Sequence, residues 1–505
     1  MTATIKKTYQ LLCDRSREAA LIDSVQQVLE WDERTMLPPA GGSYRAEQAA
    51  YLAGLVHQKK TDPQIGQWLD ELIDSPLAAD PHSDTGAVIH RWKRDYDKKT
   101  RLPQSLVEEL TRSSILGQQL WSEARRENDF AQFRPLLEKM VDLKCQEAAA
   151  LGYDATPYDP LLDDFEPGET TANVAQVLAG LRDALVPLVQ AIADSPHQPD
   201  TSVLSRDYPT AAQESFGTQV AAAIGFDFDA GRLDVTEHPF CAGLGPDDVR
   251  ITTRYDQHAF SDAFFSILHE AGHGIYDQGL PRDHFGLPTG EAVSLGIHES
   301  QSRMWENQVG RSRAFWDHFY PQAQAAFPAA LSDVEPARFY AAINQVGPSL
   351  IRVEADEVTY NLHILIRFEL EQALVERRLQ VADLPEAWNE KYRDYLGVVP
   401  DTDADGVLQD VHWSAGLFGY FPTYALGNLY AAQFFAKASD DLDDLSGSFR
   451  RGDFAPLRDW LRKHIHAQAR RYSPAELVSR VTGSPLSHAP LMRHLSEKFG
   501  EIYGL

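Results

Sequence analysis

Most of the chain carries the hydrophobic pattern of amphipathic helices. Apolar residues recur at three- and four-residue spacing in segments 49–58, 105–128 and 173–193. This spacing places side chains on one face of an α-helix. Stretches rich in Pro and Gly, at 36–43 and 163–171, interrupt the pattern. The sequence therefore predicts a mainly α-helical protein.

A different pattern follows residue 248. Val249, Ile251 and Thr253 alternate with more polar residues, which is typical of a β-strand or hairpin. We therefore predict a small β element in this otherwise helical chain. If this strand lay at a sheet edge, it could pair with the backbone of an extended peptide.

The next segment predicts another helix, from Ser261 to Gln278. Ser261 is a suitable N-cap residue. Gly279, followed by Leu280 and Pro281, is a typical signal for the end of a helix. Glycines inside the segment weaken the prediction, because glycine is a poor helix former.

Two histidines on this predicted helix indicate a metal site. His269 and His273 are four residues apart, so they lie about 40° apart on one face and could share a metal ion. Glu270 lies beside them, where it could reach a water on the metal. This is the H-E-x-x-H pattern of zinc peptidases. The alternative is a pair of surface or core-lining histidines, but a buried ionisable cluster without a partner would be costly.

A catalytic zinc ion usually has three protein ligands and one open position. A second helix is predicted to begin near Thr289 or Ser294, and Glu299 on that helix is the preferred third ligand. His298 and Glu291 are the alternatives. His298 would point about 100° away from its neighbour Glu299, so the two residues would not both bind the metal easily.

Composition restricts the partners and the compartment. The formal net charge of −27 argues against nucleic acids and anionic membranes as partners. The three cysteines are too few and too widely spaced for a disulfide framework or a cysteine metal cluster. We find neither an apolar core of signal-peptide type nor a run of eighteen apolar residues. The sequence thus predicts a cytoplasmic protein without a membrane span.

Several motifs resemble those of the Taq-type metallocarboxypeptidases, the thermostable carboxypeptidase 1 family. The motifs, in chain order, are HPF at 238–240, DVRIT at 248–252, HEAGH at 269–273, HESQS at 298–302, IRVEAD at 351–356 and GVLQDVHW at 406–413. The resemblance extends to WDERTMLPPAGGSYR near the N-terminus, YDPLLDDFEPG and YFPTYALGNLYAAQ. It therefore covers nearly the whole chain.

This resemblance implies a mainly α-helical body with a deep central groove and a small β-sheet near the active site. The shape would be related to that of neurolysin and angiotensin-converting enzyme. Residues 1–505 would form a single catalytic domain, with the active-site segment at about 236–425. The resemblance also implies a homodimer that removes C-terminal residues from peptides with a free C-terminus, tolerates many side chains and depends on a metal.

By motif, His269, His273 and Glu299 would bind the metal and Glu270 would be the general base. Zinc is the expected cofactor, one ion per chain, although cobalt or manganese could occupy the same ligands. One alternative is an oligopeptidase or endopeptidase on the same scaffold. Another is a non-catalytic peptide-binding protein with a structural metal. Glu270 argues against the latter, because a structural site has no use for a base there.

The reaction also needs a donor for the developing oxyanion. His412, Tyr420 and Tyr424 are the candidates, and the family motif includes His412. The alternative for His412 is a structural role, and the alternative for either tyrosine is ordinary packing in the core or groove.

Arginine suits recognition of a substrate's free carboxylate, because its planar guanidinium can bind a carboxylate through two hydrogen bonds. Arg352 and Arg250 are the arginines of the motifs. The alternative for each is a structural salt bridge, with Asp356 and Asp248 as the nearby acids. His238 could line the site, or it could hold a turn before the following proline.

Overall fold

The computed structural model describes residues 3–505, and helices dominate it, as predicted. The first part of the chain forms α1 Ala3–Thr35, α2 Gly42–Lys60, α3 Pro63–Ile73, α4 Asp84–Arg101, α5 Gln104–Glu127, α6 Phe130–Leu151, α7 Asp159–Leu162, α8 Thr171–Asp194 and α9 Thr210–Ile224. The three segments with helical spacing lie in α2, α5 and α8, which confirms those predictions.

Three short strands follow: β1 Gly231–Val235, β2 Cys241–Gly245 and β3 Asp248–Thr253. The predicted strand is β3, but an edge position for it is wrong. β3 is the central strand, parallel to β1 and antiparallel to β2. Val249 and Ile251 are buried, and this apolar face explains the central position. Within residues 3–505 the sheet edges belong to β1 and β2.

The rest of the chain is again helical. It forms α10 Phe260–Asp277, α11 Leu295–Arg303, α12 Arg313–Ala326, α13 Pro328–Leu331, α14 Pro336–Ile343, α15 Tyr360–Val375, α16 Leu384–Leu396, α17 Pro422–Asp441, α18 Leu445–Arg450, α19 Ala455–His464, α20 Pro474–Thr482 and α21 Ala489–Tyr503. Residues Met304–Val309 extend α11 as a π-helix.

Helices α15 and α17 form the centre of the core, because most of their residues are buried. A helix that is apolar on most faces must be surrounded by other elements. Helix α10 packs between the sheet and α11, and α11 packs most extensively against α17. The two segments with the predicted metal ligands therefore lie side by side in the best-packed part of the protein.

The boundaries of α10 differ slightly from the prediction. The helix begins one residue earlier than predicted, and Ala259 rather than Ser261 occupies the N-cap position. Phe260 is buried and its ring stacks on that of Phe264, with 5.2 Å between centroids, so apolar packing decides where the helix starts. The predicted start of the second helix at Ser294 is confirmed, since Ser294 caps α11.

Helix α8 is long and apolar enough to meet the length and composition criteria for a membrane span. The helix contains no unbroken run of eighteen apolar residues, because Arg182 and Asp183 lie near its middle. One face of α8, including Leu178, Leu181 and Leu185, is buried in the main hydrophobic core, as in the core helices of many proteins.

Candidate active site

The structure brings His269, His273 and Glu299 to one point. One ligand atom from each residue lies within 4.8 Å of the others. Glu299 Oε2 is 3.6 Å from His269 Nε2 and 3.4 Å from His273 Nε2. Two imidazole nitrogens and one carboxylate oxygen form a donor set that suits Zn²⁺. The residues present therefore fit a divalent metal ion.

A second carboxylate orients the first histidine. Nδ1 of His269 is 2.9 Å from Oε2 of Glu306, so Nδ1–H donates to Glu306 and Nε2 is left for the metal. Neighbouring Arg303 helps to hold the pKa of Glu306 at about 2, even though burial opposes ionisation. This fixes both the tautomer and the ring orientation of His269.

His298, one alternative ligand from the sequence, supports His273 instead. Nδ1 of His298 lies 2.5 Å from Nδ1 of His273, and its Nε2 lies 2.9 Å from Asp277 Oδ1. A chain of hydrogen bonds from His273 through His298 to Asp277 leaves His273 Nε2 for the metal. The other alternative ligand, Glu291, is exposed and pairs with Arg470 at 2.7 Å.

Glu299 is oriented by Arg303, which lies one helical turn further along α11. Arg303 Nε donates to Oε1 of Glu299 at 2.8 Å. This leaves Oε2 facing the two histidines, so Glu299 is set to bind a metal through one oxygen. Burial opposes ionisation, but Arg303 and His269 together hold the pKa of Glu299 well below its ordinary value. The ligand is thus anionic.

Glu270 lies on α10 beside the ligands and is only 7% exposed. Burial and the nearby carboxylates Glu299 and Glu306 raise its pKa to about 7. A carboxylate with a raised pKa is a suitable base near neutral pH. The charges of His269 and Glu299 both act on the Glu270 carboxylate, which places it close to the ligand cluster.

Two glycines allow the ligand helices to approach each other. A Cβ atom on Gly272 would lie 2.6 Å from Ser302 Cα, and one on Gly427 of α17 would lie 2.5 Å from Glu299 Cγ. Gly272 within the HEAGH motif therefore allows the backbone of α11 to pack closely against α10. Gly427 leaves room for the stem of the ligand Glu299 itself.

Replacement of Gly427 by alanine is therefore expected to weaken metal binding. The new methyl group must push Glu299 or move α17, and displacement of a group that orients a metal site typically costs about 10–100-fold in affinity. Chelator competition with Zn²⁺ measures the change. Gly54→Ala is a matched control, because a Cβ at Gly54 on α2 meets nothing within 4 Å. Equal zinc affinity for the two variants would contradict this account.

His412 and both candidate tyrosines form one cluster. Nε2 of His412 is 3.3 Å from the hydroxyl of Tyr424, and the rings of Tyr420 and Tyr424 are 5.3 Å apart. Burial lowers the pKa of His412 to about 3, so the imidazole is neutral and can donate one N–H. Glu299 contributes to the raised pKa of both tyrosines, which places them near the ligand cluster.

Arg352 joins this cluster, but its salt-bridge partner differs from the predicted one. Its Nε and Nη2 both donate to Oδ1 of Asp410, at 2.9 and 2.7 Å, and Nη1 donates to Tyr360. Asp356, the acid expected from the sequence, instead accepts hydrogen bonds from Val358 and other nearby residues. The motif IRVEAD therefore does not contain the salt bridge.

Two further candidates lie in the sheet region. Arg250 binds Asp248 through two hydrogen bonds of 2.8 and 2.9 Å, and its guanidinium lies 4.4 Å from the ring centroid of Trp31 on α1. His238 is exposed in the connection between β1 and β2. In the part of the chain that the structure describes, no hydrogen bond or ion pair joins Arg250 or His238 to the ligand cluster.

Sequence reasoning missed Glu306, Arg303 and Asp277. For two of them a signal was present, because Arg303 and Glu306 follow Glu299 by four and seven residues, the spacing of one helix face. Asp277 lies one turn after His273 on α10, but its partner His298 is on another helix. Only the tertiary structure brings that pair together.

Two cavities of about 450 Å³ each adjoin His298. One lies between α1, the sheet and the end of α10, and the other lies between α4, α6 and the start of α11. Glu291, Ala292 and His298 line both. His269, Glu270, His273 and Glu299 line neither cavity, so both cavities reach the ligand cluster only through His298, which contacts His273.

Comparisons with known proteins agree with this geometry. The family model for carboxypeptidase Taq (M32) metallopeptidase matches residues 12–499. Thermostable carboxypeptidase 1 of Thermus thermophilus is 48% identical over 99% of this chain and 100% of its own length. The structure of an M32 carboxypeptidase from Deinococcus radiodurans superposes with a TM-score of 0.96 at 41% identity, covering 99% of this chain and 100% of that one. The protein is a metallocarboxypeptidase and belongs to the carboxypeptidase Taq (M32) family of metallopeptidases.

Proposed function

We propose that this enzyme is a zinc-dependent carboxypeptidase that releases amino acids with many different side chains from the C-terminus of peptides. The observation that carries the proposal is the convergence of His269, His273 and Glu299, with Glu270 beside them on α10. Cobalt and manganese suit the same ligands. Metal analysis of the purified protein tests which ion it holds.

The residues around the centre have distinct proposed roles. When bound, the metal ion polarises the scissile carbonyl and acidifies the attacking water. Glu270 takes the proton from this water and passes it to the leaving amine. Tyr424 or Tyr420 donates to the developing oxyanion, supported by the hydrogen bond between Tyr424 and neutral His412.

Arg352 is proposed to bind the C-terminal carboxylate of the substrate. Its Nε–Nη2 edge is bound to Asp410, and a guanidinium has five N–H donors. Nη1 and Nη2 each carry two N–H groups, and each nitrogen makes one hydrogen bond, to Tyr360 and Asp410 respectively. One N–H on each nitrogen is therefore left for a carboxylate. Arg352 also lies 5.0 Å from the ring centroid of Tyr424, next to the proposed oxyanion donor.

Blocking the substrate's carboxylate is expected to reduce hydrolysis sharply. An amidated peptide cannot form the charge-assisted pair with Arg352, and such bonds contribute about 1.5–3 kcal/mol each. The measurement is kcat/KM for matched free-acid and amidated peptides, followed by mass spectrometry. Equal rates would favour an oligopeptidase or endopeptidase. The variant Arg352→Gln should reduce the preference for the free acid.

We propose further that residues 1–505 act as one catalytic domain in a cytoplasmic homodimer. The three cysteines are unpaired, as expected in a reducing compartment. We place the dimer contact at α5, where the neighbouring apolar residues Ile115 and Leu116 are 66% and 55% exposed. Sedimentation velocity of the wild type and of Leu116→Lys tests the dimer.

A further inference from the structure

A buried carboxyl group lies at the start of the helix that carries Glu299. Glu166, in the turn after α7, is 0% exposed. It accepts hydrogen bonds from Ser294 Oγ at 2.9 Å, Gly296 N at 3.1 Å and Tyr430 Oη at 2.9 Å. The residue before Glu166 makes a further hydrogen bond to this helix: the backbone carbonyl of Phe165 accepts from the backbone N–H of Leu295 at 3.2 Å.

These three donors belong to the two helices that hold the ligand. Ser294 is the N-cap of α11, and Gly296 lies in its first turn, one turn before Glu299. Tyr430 lies on α17, about one turn after Gly427, the glycine against which the Glu299 stem packs. Glu166 therefore ties the N-terminal end of α11, one turn before Glu299, to the middle of α17.

The carboxyl group of Glu166 fills the space between α11 and α17. A Cβ atom on Gly296 would lie 2.6 Å from Oε2 of Glu166 and 3.0 Å from the Tyr430 ring. Only glycine leaves room for the carboxyl group between the two helices. A shift of the carboxyl group would thus be transmitted directly to the first turn of α11.

The segment that carries Glu166 is itself anchored. Asp163 accepts from Arg94 Nη2 at 2.6 Å and from Lys98 Nζ at 2.7 Å, and both donors lie on α4. Asp163 also accepts from the backbone N–H of Gly168 at 2.8 Å. Glu166 is therefore presented from a turn that is closed on itself and fastened to another helix.

We propose that Glu166 is a positioning residue for Glu299, so that metal affinity depends on this buried carboxyl group. The inference rests on the proposed metal centre. Glu166 holds the start of α11 through two hydrogen bonds and ties it to α17 through a third. It thereby fixes the position of Glu299 one turn away, because an α-helix transmits a displacement of its first turn as a rigid unit. Partners outside the ligand set commonly change metal affinity by about 10–100-fold.

The three groups that donate to Glu166 are uncharged, so glutamine is a conservative replacement. Burial raises its pKa to about 8, although the three donors oppose the shift. When the carboxyl group is neutral, Oε2 accepts from Gly296 N–H, while the Oε1–H donates to one of the two hydroxyl groups, Ser294 or Tyr430, and Oε1 accepts from the other. A glutamine side chain has the same shape, one acceptor and a donor group.

The chain offers a matched control in Glu371. It is also 0% exposed and also accepts three bonds from neutral donors, Tyr158 Oη at 2.6 Å, Trp413 Nε1 at 2.8 Å and Gly419 N at 3.0 Å. Trp413 and Gly419 lie in the turn that follows His412, so Glu371 stabilises this turn and not α11. Loss of Glu371 should destabilise the protein to a similar degree without moving Glu299.

The experiment measures the zinc dissociation constant of full-length protein by chelator competition, well below the unfolding temperature of each variant. Glu166→Leu is expected to weaken zinc binding about 10-fold or more. Glu166→Gln should stay close to the wild type, and Glu371→Leu should lose stability but keep its zinc affinity. Substitution with Co²⁺ gives a second readout, since its absorption spectrum should change in Glu166→Leu and not in Glu371→Leu.

Two outcomes would overturn the inference: unchanged zinc affinity in Glu166→Leu, or equal losses in Glu166→Leu and Glu371→Leu. If Glu166→Leu does not fold, Tyr430→Phe removes one of the three donors and should show a smaller loss in the same direction. Unchanged affinity in that variant would then count against the proposal. Failure of the wild type to bind zinc would instead contradict the proposed metal centre.

Discussion

Replacement of Glu270 by glutamine is expected to lower kcat about 10²–10⁴-fold while zinc binding stays nearly intact. Glutamine has the shape of glutamate but cannot take a proton from the attacking water. Glu270 is not one of the three residues whose ligand atoms converge, so the metal should still bind. The measurements are kcat for a short free-acid peptide and zinc content by elemental analysis.

The stability of this variant should be unchanged or slightly higher. Glu270 is buried and its pKa is raised, so loss of its charge removes a desolvation cost. Glu386→Gln on α16 is the matched control, because Glu386 is exposed in the first turn of its helix. If Glu270→Gln kept more than a tenth of wild-type kcat, Glu270 would not be the general base.

Replacement of Glu299 by glutamine is expected to weaken zinc binding by more than the roughly 100-fold that loss of an outer partner can cost. The change removes the negative charge of the proposed ligand and leaves Arg303 without its anionic partner. The side chain of Glu299 is 9% exposed and that of Arg303 is 15% exposed. Breaking such a buried pair costs about 3–5 kcal/mol, so the melting temperature should fall as well.

Glu291→Gln is the control, because the sequence allowed Glu291 as the third ligand. Its side chain is 49% exposed and pairs with Arg470, and exposed pairs contribute about 0–1 kcal/mol. The control should therefore keep both its zinc affinity and its stability. A large loss of zinc affinity in Glu291→Gln, with little loss in Glu299→Gln, would reverse the assignment of the third ligand.

Gly272 in the HEAGH motif and Gly274 directly after it show why local propensity alone does not predict this helix. Helix propensity counts against Gly272 and Gly274, yet both lie inside α10. The reason is tertiary: a Cβ at Gly272 would meet α11, and one at Gly274 would lie 2.5 Å from the ring of Phe226. Close packing of neighbouring elements outweighs a propensity cost of about 1 kcal/mol per glycine.

The salt-bridge partners of Arg250 and Arg352 show that sequence neighbours predict some ion pairs and not others. Asp248 was expected beside Arg250 and is bound to it, because the two residues are neighbours on the same face of β3. Asp356 was expected beside Arg352, but the partner is Asp410, 58 residues away in the sequence. Pairs that are local in the chain follow from strand or helix geometry, whereas distant pairs depend on how the elements pack.

The helical class, the strand near residue 250 and the spacing of His269 and His273 could be predicted from the sequence, which also restricted the start of α11 to Thr289 or Ser294. These features depend on local periodicity and capping, which act over a few residues. The central position of β3, the contact of His298 with His273 and the packing of Glu166 and Gly427 around the helix of Glu299 could not be predicted in this way. Such contacts join segments far apart in the chain, and burial of the same apolar core brings them together.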